Sequence, residues 1–233
     1  FYTMFSQNPI HKTIIHVCND PVCAMAGADT LLKMVPRLPA DKKFIQNEFT
    51  IERAPCLGLC EHAPALLVKE KPVDAKKMTT WADLLDGKGF ISRSVVGGDI
   101  RWLTGNCGNG KTTTVDQYYA TGGYSSLKKV LQNSPTQLIE IIKQSGLVGR
   151  GGAAFPTGLK WEGAAKVESD IKYVVCNADE AEPGTFKDRV LMEDDPHKVI
   201  EGLIISGYAI GAHKGYFYIR GEYKTAFDIV QHA

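Results

Sequence analysis

The chain is poor in several things at once. None of its 233 residues falls in a run approaching 18 consecutive apolar positions, so the sequence offers no helix to span a bilayer and no direct membrane insertion is expected. Charge of either sign is not in excess: 27 Lys and Arg meet 26 Asp and Glu, for a net +1. That balance excludes electrostatic capture of nucleic acid or of an anionic membrane as the main task. Cysteine is scarce, six in 233 residues, far below a disulfide scaffold. What is left is an ordinary globular composition, 44% hydrophobic and 23% charged, and a length that suits two domains better than one core. The chain opens on Phe1 rather than Met and reads as a fragment, so the lack of a signal peptide says little about location.

The few cysteines are unevenly spread. Four form two tight pairs, Cys18/Cys23 with C-x4-C spacing and Cys56/Cys60 with C-x3-C spacing. Such pairing indicates ligands in a reducing, cytoplasmic compartment rather than cross-links. Thr13 to Val17 is a β-branched run that reads as a strand, and Glu48 to Arg53 alternates as a second. Both pairs therefore fall in loops after strands, where ligands of open α/β sheets collect. Ala24 to Val35 has helical apolar spacing ended by Pro36; Ala65 to Lys69 reads as a further strand and Thr79 to Leu85 as a helix. Four thiolates suit zinc or iron–sulfur. The gaps are wider than the usual zinc-ribbon C-x2-C, and two loops suit the two irons of a binuclear cluster. Zinc and plain structural cysteines remain the alternatives. Gly27 and Gly58 are expected to bring backbone N–H groups near the sulfides.

Residues 92–123 form a Gly- and Thr-rich connector. It contains Gly105-Asn-Cys-Gly-Asn-Gly-Lys-Thr112, a literal phosphate-loop pattern. No buried strand precedes it and no sustained helix follows, so it reads as a turn. Helices are predicted over Tyr124 to Gln132 and Pro135 to Gln144, the latter N-capped by Ser134. Gly146 to Gly158 then carries five glycines in thirteen residues. Gly149, Gly151 and Gly152 flank Arg150 and offer backbone N–H groups at close approach, while Arg150 and Lys160 add positive charge; a phosphate or a flat ring suits such a loop. A strand over Ile171 to Cys176, a helix from Asp195-Pro196 to Ile210 and a strand over Gly215 to Arg220 make a βαβ unit. Both strands are expected to be buried, with Cys176 a core residue. Between them, Asn177 to Asp195 holds seven carboxylates and reads as a loop. Asp179, Glu180 and Glu182 are candidates to bind hydroxyls or ring nitrogens, and Asn177, Asp179 and Glu222 are expected to meet at the strand ends.

Two sets of residues carry a family resemblance. Val17-Cys18-x4-Cys23-x3-Gly27-Ala28, followed by Ala54-Pro55-Cys56-Leu57-Gly58-Leu59-Cys60-Glu61-His62-Ala63-Pro64, resembles the thioredoxin-like ferredoxin subunit of respiratory complex I. Gly149 to Trp161, Cys176 to Arg189 and Tyr218 to Tyr223 are similar to the complex I flavoprotein subunit, a family shared with NAD-linked hydrogenases and formate dehydrogenases. The resemblance implies an α/β chain in three parts: a thioredoxin-like 2Fe–2S ferredoxin domain over 1–91, the connector over 92–123 and a Rossmann-like FMN/NADH-binding portion over 124–233. It implies that Cys18, Cys23, Cys56 and Cys60 hold the 2Fe–2S cluster. FMN falls to Gly149, Arg150, Gly151, Gly152, Lys160, Asn177, Asp179, Glu180, Tyr218 and Glu222, and NADH to Phe155 and Glu182. The family commonly has an adenine-stacking aromatic where this chain has Gly163, a place that Trp161 would fill only in part. The opening Phe1 to Phe5 resembles the stretch just before the ferredoxin fold. A helical segment is therefore expected ahead of it, and further segments, one with a 4Fe–4S cluster, beyond Ala233.

The implied activity is that of an NADH (or NAD+) oxidoreductase module inside a larger assembly, with iron–sulfur subunits of a complex I, hydrogenase or formate dehydrogenase as partners. A flavin exchanges hydride with nicotinamide and single electrons with clusters, so no proton-transfer residue is required; Glu180 is expected to tune the flavin. The alternatives are a nonenzymatic electron-carrier or scaffold subunit with a vestigial flavin site, and a zinc-bound interaction domain.

Overall fold

A computed structural model describes residues 12–37, 49–85, 94–108 and 112–233. Phe1 to Phe5, the Glu48 start of the second predicted strand, and Asn109, Gly110 and Lys111 of the phosphate-loop pattern lie outside the described residues. The described chain divides into two units. The first comprises described residues within Phe1–Asp99, Asp179–Val190 and Ile219–Asp228; the second comprises those within Ile100–Ala178, Leu191–Tyr218 and Ile229–Ala233.

In the first unit, strand β1 (Thr13–Cys18) lies between β2 (Phe49–Ala54), which runs parallel to it, and β3 (Leu66–Val68), which runs antiparallel; β4 (Lys71–Val73) completes the sheet in the order β2-β1-β3-β4. A central strand has both faces covered. Ile15 and Val17 accordingly enter a core with Leu31, Leu66, Trp81 and Leu84, while Cys18 joins a second cluster with Cys23, Leu57 and Leu59. The helix expected over Ala24 to Val35 is two helices, α1 (Pro21–Met25) and α2 (Ala28–Met34). Gly27 causes the break: at φ +96° it is left-handed, closing α1 through a bond from its N–H to Ala24 O and preceding α2 as its N-cap. Its N–H is thus spent on helix geometry, not on a sulfur. A short helix α3 (Trp81–Leu85) follows.

In the second unit, α4 (Val115–Ala120) lies inside the predicted connector, opened by a capping box between Thr114 and Gln117. A short α5 (Ser125–Val130) follows, then α6 (Pro135–Gln144) with the expected Ser134 cap. Helix α7 (Thr157–Lys166) begins inside the glycine-rich run, where composition gives no helical signal. Strand β5 (Tyr173–Ala178), helix α9 (Pro196–Ile210) and strand β6 (Lys214–Ile219) follow; helices α8 (Lys187–Asp194) and α10 (Lys224–His232) have residues in each unit. β5 and β6 form a two-stranded sheet. Val174 packs with α6 and α9 side chains around Leu138, Ile139 and Ala209. The strands expected to be buried are not: Tyr173 and Val175 on β5 and Tyr216 and Tyr218 on β6 are each at least half exposed. Apolar content without alternation looks like a two-faced buried strand, yet here one face of each strand is open. Helix α8 forms where the sequence reads as an acidic loop, because the Glu180 carboxylate accepts from its first N–H groups, as described below.

Candidate functional site

The first unit places all four paired cysteines together. Cys18 ends β1, Cys23 sits in α1, and Cys56 and Cys60 follow β2. All four are buried, and Cys56 Sγ lies 3.4 Å from Cys60 Sγ. Cys18 lies within hydrogen-bonding reach of Cys23 and of Cys56. Among the described residues no group of three or more His, Cys, Asp or Glu side chains is arranged for a single metal ion. The four thiols are strung in contact in the order Cys23–Cys18–Cys56–Cys60, an extended donor set that suits a two-iron centre better than one zinc tetrahedron. Backbone N–H groups aim at all four sulfurs: Gly58 N at Cys56 (3.5 Å), Ala65 N at Cys23 (3.4 Å), Gly184 N at Cys60 (3.2 Å) and Asp20 N at Cys18. Donors to sulfur are what metal-bound thiolates need from their surroundings. In the bare chain, the hydrogen bond with Cys23 pushes the Cys18 thiol up to about 11 and burial pushes Cys60 up to about 11, while the bond from Cys18 lowers Cys23. Cys56 is raised as well, first by its bond with Cys18 and then by burial. Loading a metal centre therefore releases protons.

The loop carrying Cys56 and Cys60 is braced by charge. Arg189 donates from Nε to Gly58 O (3.1 Å) and pairs with Glu61, which also accepts from Ser94 Oγ (2.8 Å). Arg220 donates to Cys56 O (2.5 Å) and Glu180 O (2.6 Å), and pairs with Glu222 at 3.0 Å. Burial is the largest single influence on Glu222 and opposes its charge, but the bond and the charge of Arg220, with smaller help from a backbone N–H and His16, together hold the carboxyl below its ordinary value. Gly58 is left-handed at φ +69°, and a Cβ there would strike the Tyr223 ring at 2.3 Å. The site requires glycine at that position twice over. Sequence reasoning misses Arg189, Arg220 and Tyr223 in this role; they stand more than 120 positions from the cysteines, with no local pattern to link them.

Among the residues assigned to FMN and NADH, Glu180 is buried and accepts from the backbone of Asp188 and Arg189, from Lys187 Nζ and, at 3.3 Å, from Tyr223 OH. It is the anion at the N-terminus of α8 and explains why the acidic segment is helical. Glu222 serves Arg220, as above, while Asp179 and Glu182 are exposed in this same unit.

The second unit holds the rest. Gly149 N bonds Phe155 O (2.9 Å) and Thr157 N bonds Leu147 O (2.9 Å), closing the glycine loop at its base. The loop and α7 border a cavity of about 810 Å³ lined by Gly149, Gly151, Phe155, Lys160, Trp161 and residues of β5 and α9. That size falls in the range of cofactor sites. A Cβ built at Gly151 or Gly152 would meet no atom of the described residues within 4 Å, so packing among them does not demand glycine there. A ring or phosphate against the backbone would. Gly152 is left-handed at φ +93°. Helix α7 has no side-chain N-cap, which leaves N–H groups at its start for an anion. Arg150, Asn177 and Tyr218 are exposed, and Cys176, expected in the core, is half-buried on the cavity wall. Trp161 is a wall residue, and Gly163 faces open space.

The phosphate-loop pattern is accounted for. Gly108 N donates to Asp194 Oδ2 (2.5 Å), Thr112 Oγ1 to Asp194 O (2.7 Å) and Asn106 Nδ2 to Asp195 Oδ2 (3.0 Å). A buried carboxylate of the chain itself takes the N–H that a phosphate would claim.

Four buried thiols with N–H donors suit an inorganic centre, and the glycine-walled cavity elsewhere on the chain suits an organic cofactor. The comparisons give the particular families. Residues 1–88 match the thioredoxin-like [2Fe-2S] ferredoxin family and residues 142–233 match the Nuo51 FMN-binding domain. Each match covers under half of the chain; the first is described as a [2Fe-2S] ferredoxin and the second as FMN-binding. It is 56% identical over 117 residues to an NADH-quinone oxidoreductase subunit of Rhizobium meliloti, a match covering 50% of the chain and 28% of that relative. It is 35% identical over 250 aligned positions to the alpha subunit of the NAD-reducing hydrogenase HoxS of Cupriavidus necator, covering 99% of the chain and 40% of that relative. A crystal structure of NAD+-reducing [NiFe]-hydrogenase in the air-oxidized state matches with TM-score 0.71 and 25% identity, over 97% of the chain and 40% of the other. The chain therefore spans well under two thirds of the relatives it matches. Among the described residues no helix is long and apolar enough to cross a membrane.

Proposed function

We propose that the chain is the nicotinamide-side module of a multisubunit redox enzyme, passing electrons between NAD(H), FMN and a 2Fe–2S cluster. The observation that carries this reading is the presence, on one polypeptide, of a buried four-thiol site and a glycine-walled cavity within two families whose groups are 2Fe–2S and FMN. Cys18, Cys23, Cys56 and Cys60 would hold the cluster. Gly149, Arg150, Gly151, Gly152, Lys160, Asn177, Asp179, Glu180, Tyr218 and Glu222 would hold FMN, with Phe155 and Glu182 toward NADH. When bound, the flavin supplies the exchange between a hydride and single electrons.

The chain's own residues do the remaining work. The open faces of Gly151 and Gly152 admit a flat ring to van der Waals distance. The uncapped start of α7 and the charges of Arg150 and Lys160 attract phosphate. The apolar wall formed by Phe155, Trp161 and Val174 excludes water. Buried N–H donors keep the thiolates anionic and oriented. Partners are proposed to be iron–sulfur subunits of a complex I or hydrogenase assembly, reached on the cytoplasmic side. The test is reconstitution of the chain with iron, sulfide and FMN. Iron with acid-labile sulfide and a bound yellow flavin supports the reading; zinc without iron, or no flavin retained, overturns it.

A further inference from the structure

We propose that Gly184 is a positioning residue for the cluster: its backbone N–H is a hydrogen-bond donor to Cys60 Sγ that raises the reduction potential of the 2Fe–2S centre. The proposal rests on reading the four thiols as cluster ligands.

The N–H of Gly184 lies 3.2 Å from Cys60 Sγ, closer than Gly58 N to Cys56 (3.5 Å) or Ala65 N to Cys23 (3.4 Å); the Asp20 N–H also reaches Cys18. Gly58 lies two positions from its cysteine, as any ligand loop arranges, and Ala65 lies just after the ligand loop itself, within the ferredoxin-matching segment. Gly184 lies 124 positions from Cys60, in the segment matching the flavin-binding family. The turn that holds it closes on itself: Thr185 N and Thr185 Oγ1 both donate to Glu182 O, at 3.0 and 2.6 Å. The N–H of Gly184 instead goes to the sulfur. Its φ of +93° is one that side-chain-bearing residues rarely adopt, although a Cβ there would meet only Val22 Cγ2, at 4.0 Å. Glycine is thus required by the backbone conformation that aims the donor, not by crowding. The turn is also anchored behind: Glu180 holds the start of α8, and Arg189 on α8 grips Gly58 O in the same cysteine loop.

Reduction adds negative charge to a cluster and its thiolates. A donor to one of those sulfurs stabilises the reduced form more than the oxidised one, and so favours reduction. Losing it shifts the potential in the negative direction.

The experiment uses the full chain with its cluster, labelled with 15N-glycine. Pulsed EPR of the reduced cluster is expected to show couplings from two glycine amides, Gly58 and Gly184. The substitution Gly184→Ala strains the turn, and is expected to remove one coupling and to move the EPR-monitored midpoint negative. A turn with a merely structural role would change neither. A cluster-loaded Gly184→Ala chain that keeps both couplings and the midpoint overturns the proposal. So does the absence of any glycine coupling in the unsubstituted chain, a result that needs no variant to fold. A chain that loads zinc and shows no cluster signal overturns the cluster reading itself, and the proposal with it.

Discussion

The two units solve opposite problems. The cysteine site of the first unit is filled by its own brace: Tyr223 sits where a Gly58 side chain would be, and Arg189, Glu61, Arg220 and Glu222 pair in buried positions behind the ligand loop. The cavity of the second unit is bordered by Gly151, where a Cβ would meet no atom of the described residues within 4 Å. A small inorganic cluster is held by bonds to a few atoms, so its protein must fix those atoms in advance. A large flat cofactor is held by surface contact, so its protein must leave room and offer backbone donors. Glycine serves both sites, for opposite reasons: at Gly58 the protein itself occupies the space, and at Gly151 the protein does not.

This contrast yields predictions of decreasing size. Arg189→Ala leaves Glu61 without its buried partner, and should cost the first unit about 3–5 kcal/mol. Urea unfolding followed by a probe in that unit checks it; a loss under about 1 kcal/mol would mean the brace is solvated. Cys56→Ala should lower bound iron and sulfide by more than about tenfold, while flavin retention by the second unit changes little. Equal loss of both groups would merge the two sites into one cooperative structure. Gly151→Ala should leave stability within about 0.5 kcal/mol yet weaken FMN binding by about tenfold or more, because the added methyl enters the ligand's space. Binding calorimetry with FMN decides it, and unchanged affinity would place the flavin elsewhere.

The smallest expected effect is a pH response of the second unit. Burial pushes the His197 imidazole below its ordinary 6.5, against the opposing charge of Asp195. The unfolded chain therefore binds a proton that the folded one refuses. Stability is full above pH 6.5 and falls as pH drops from there toward the lowered folded value. His197→Phe should flatten that slope in hydrogen exchange of α9, at the cost of the bond between Tyr124 OH and His197 Nδ1 (2.9 Å) at every pH. An unaltered slope would assign the titration to another group.

The gathering of the four paired cysteines is legible in sequence because it shows in the spacing of one rare residue type. The capped helix at Ser134 and the strand at Thr13 are legible because caps and β-branched runs are local signals. The helix over Lys187–Asp194 is not, because the carboxylate that starts it, Glu180, is recognised only once the chain has folded back. The exposure of Tyr173, Val175, Tyr216 and Tyr218 is hidden for a related reason: hydrophobicity shows what a strand can bury, not which face its neighbours cover. The division at Gly27 is written in the sequence as a glycine, but helical periodicity runs through it unbroken.

The account stands on one relay carried by one polypeptide, and anaerobic addition of NADH to the loaded complex, followed by optical and EPR spectra, tests it most directly. It predicts bleaching of the flavin together with the signal of a reduced 2Fe–2S cluster. A cluster that dithionite reduces and NADH leaves oxidised, beside a flavin that does not bleach, would contradict it.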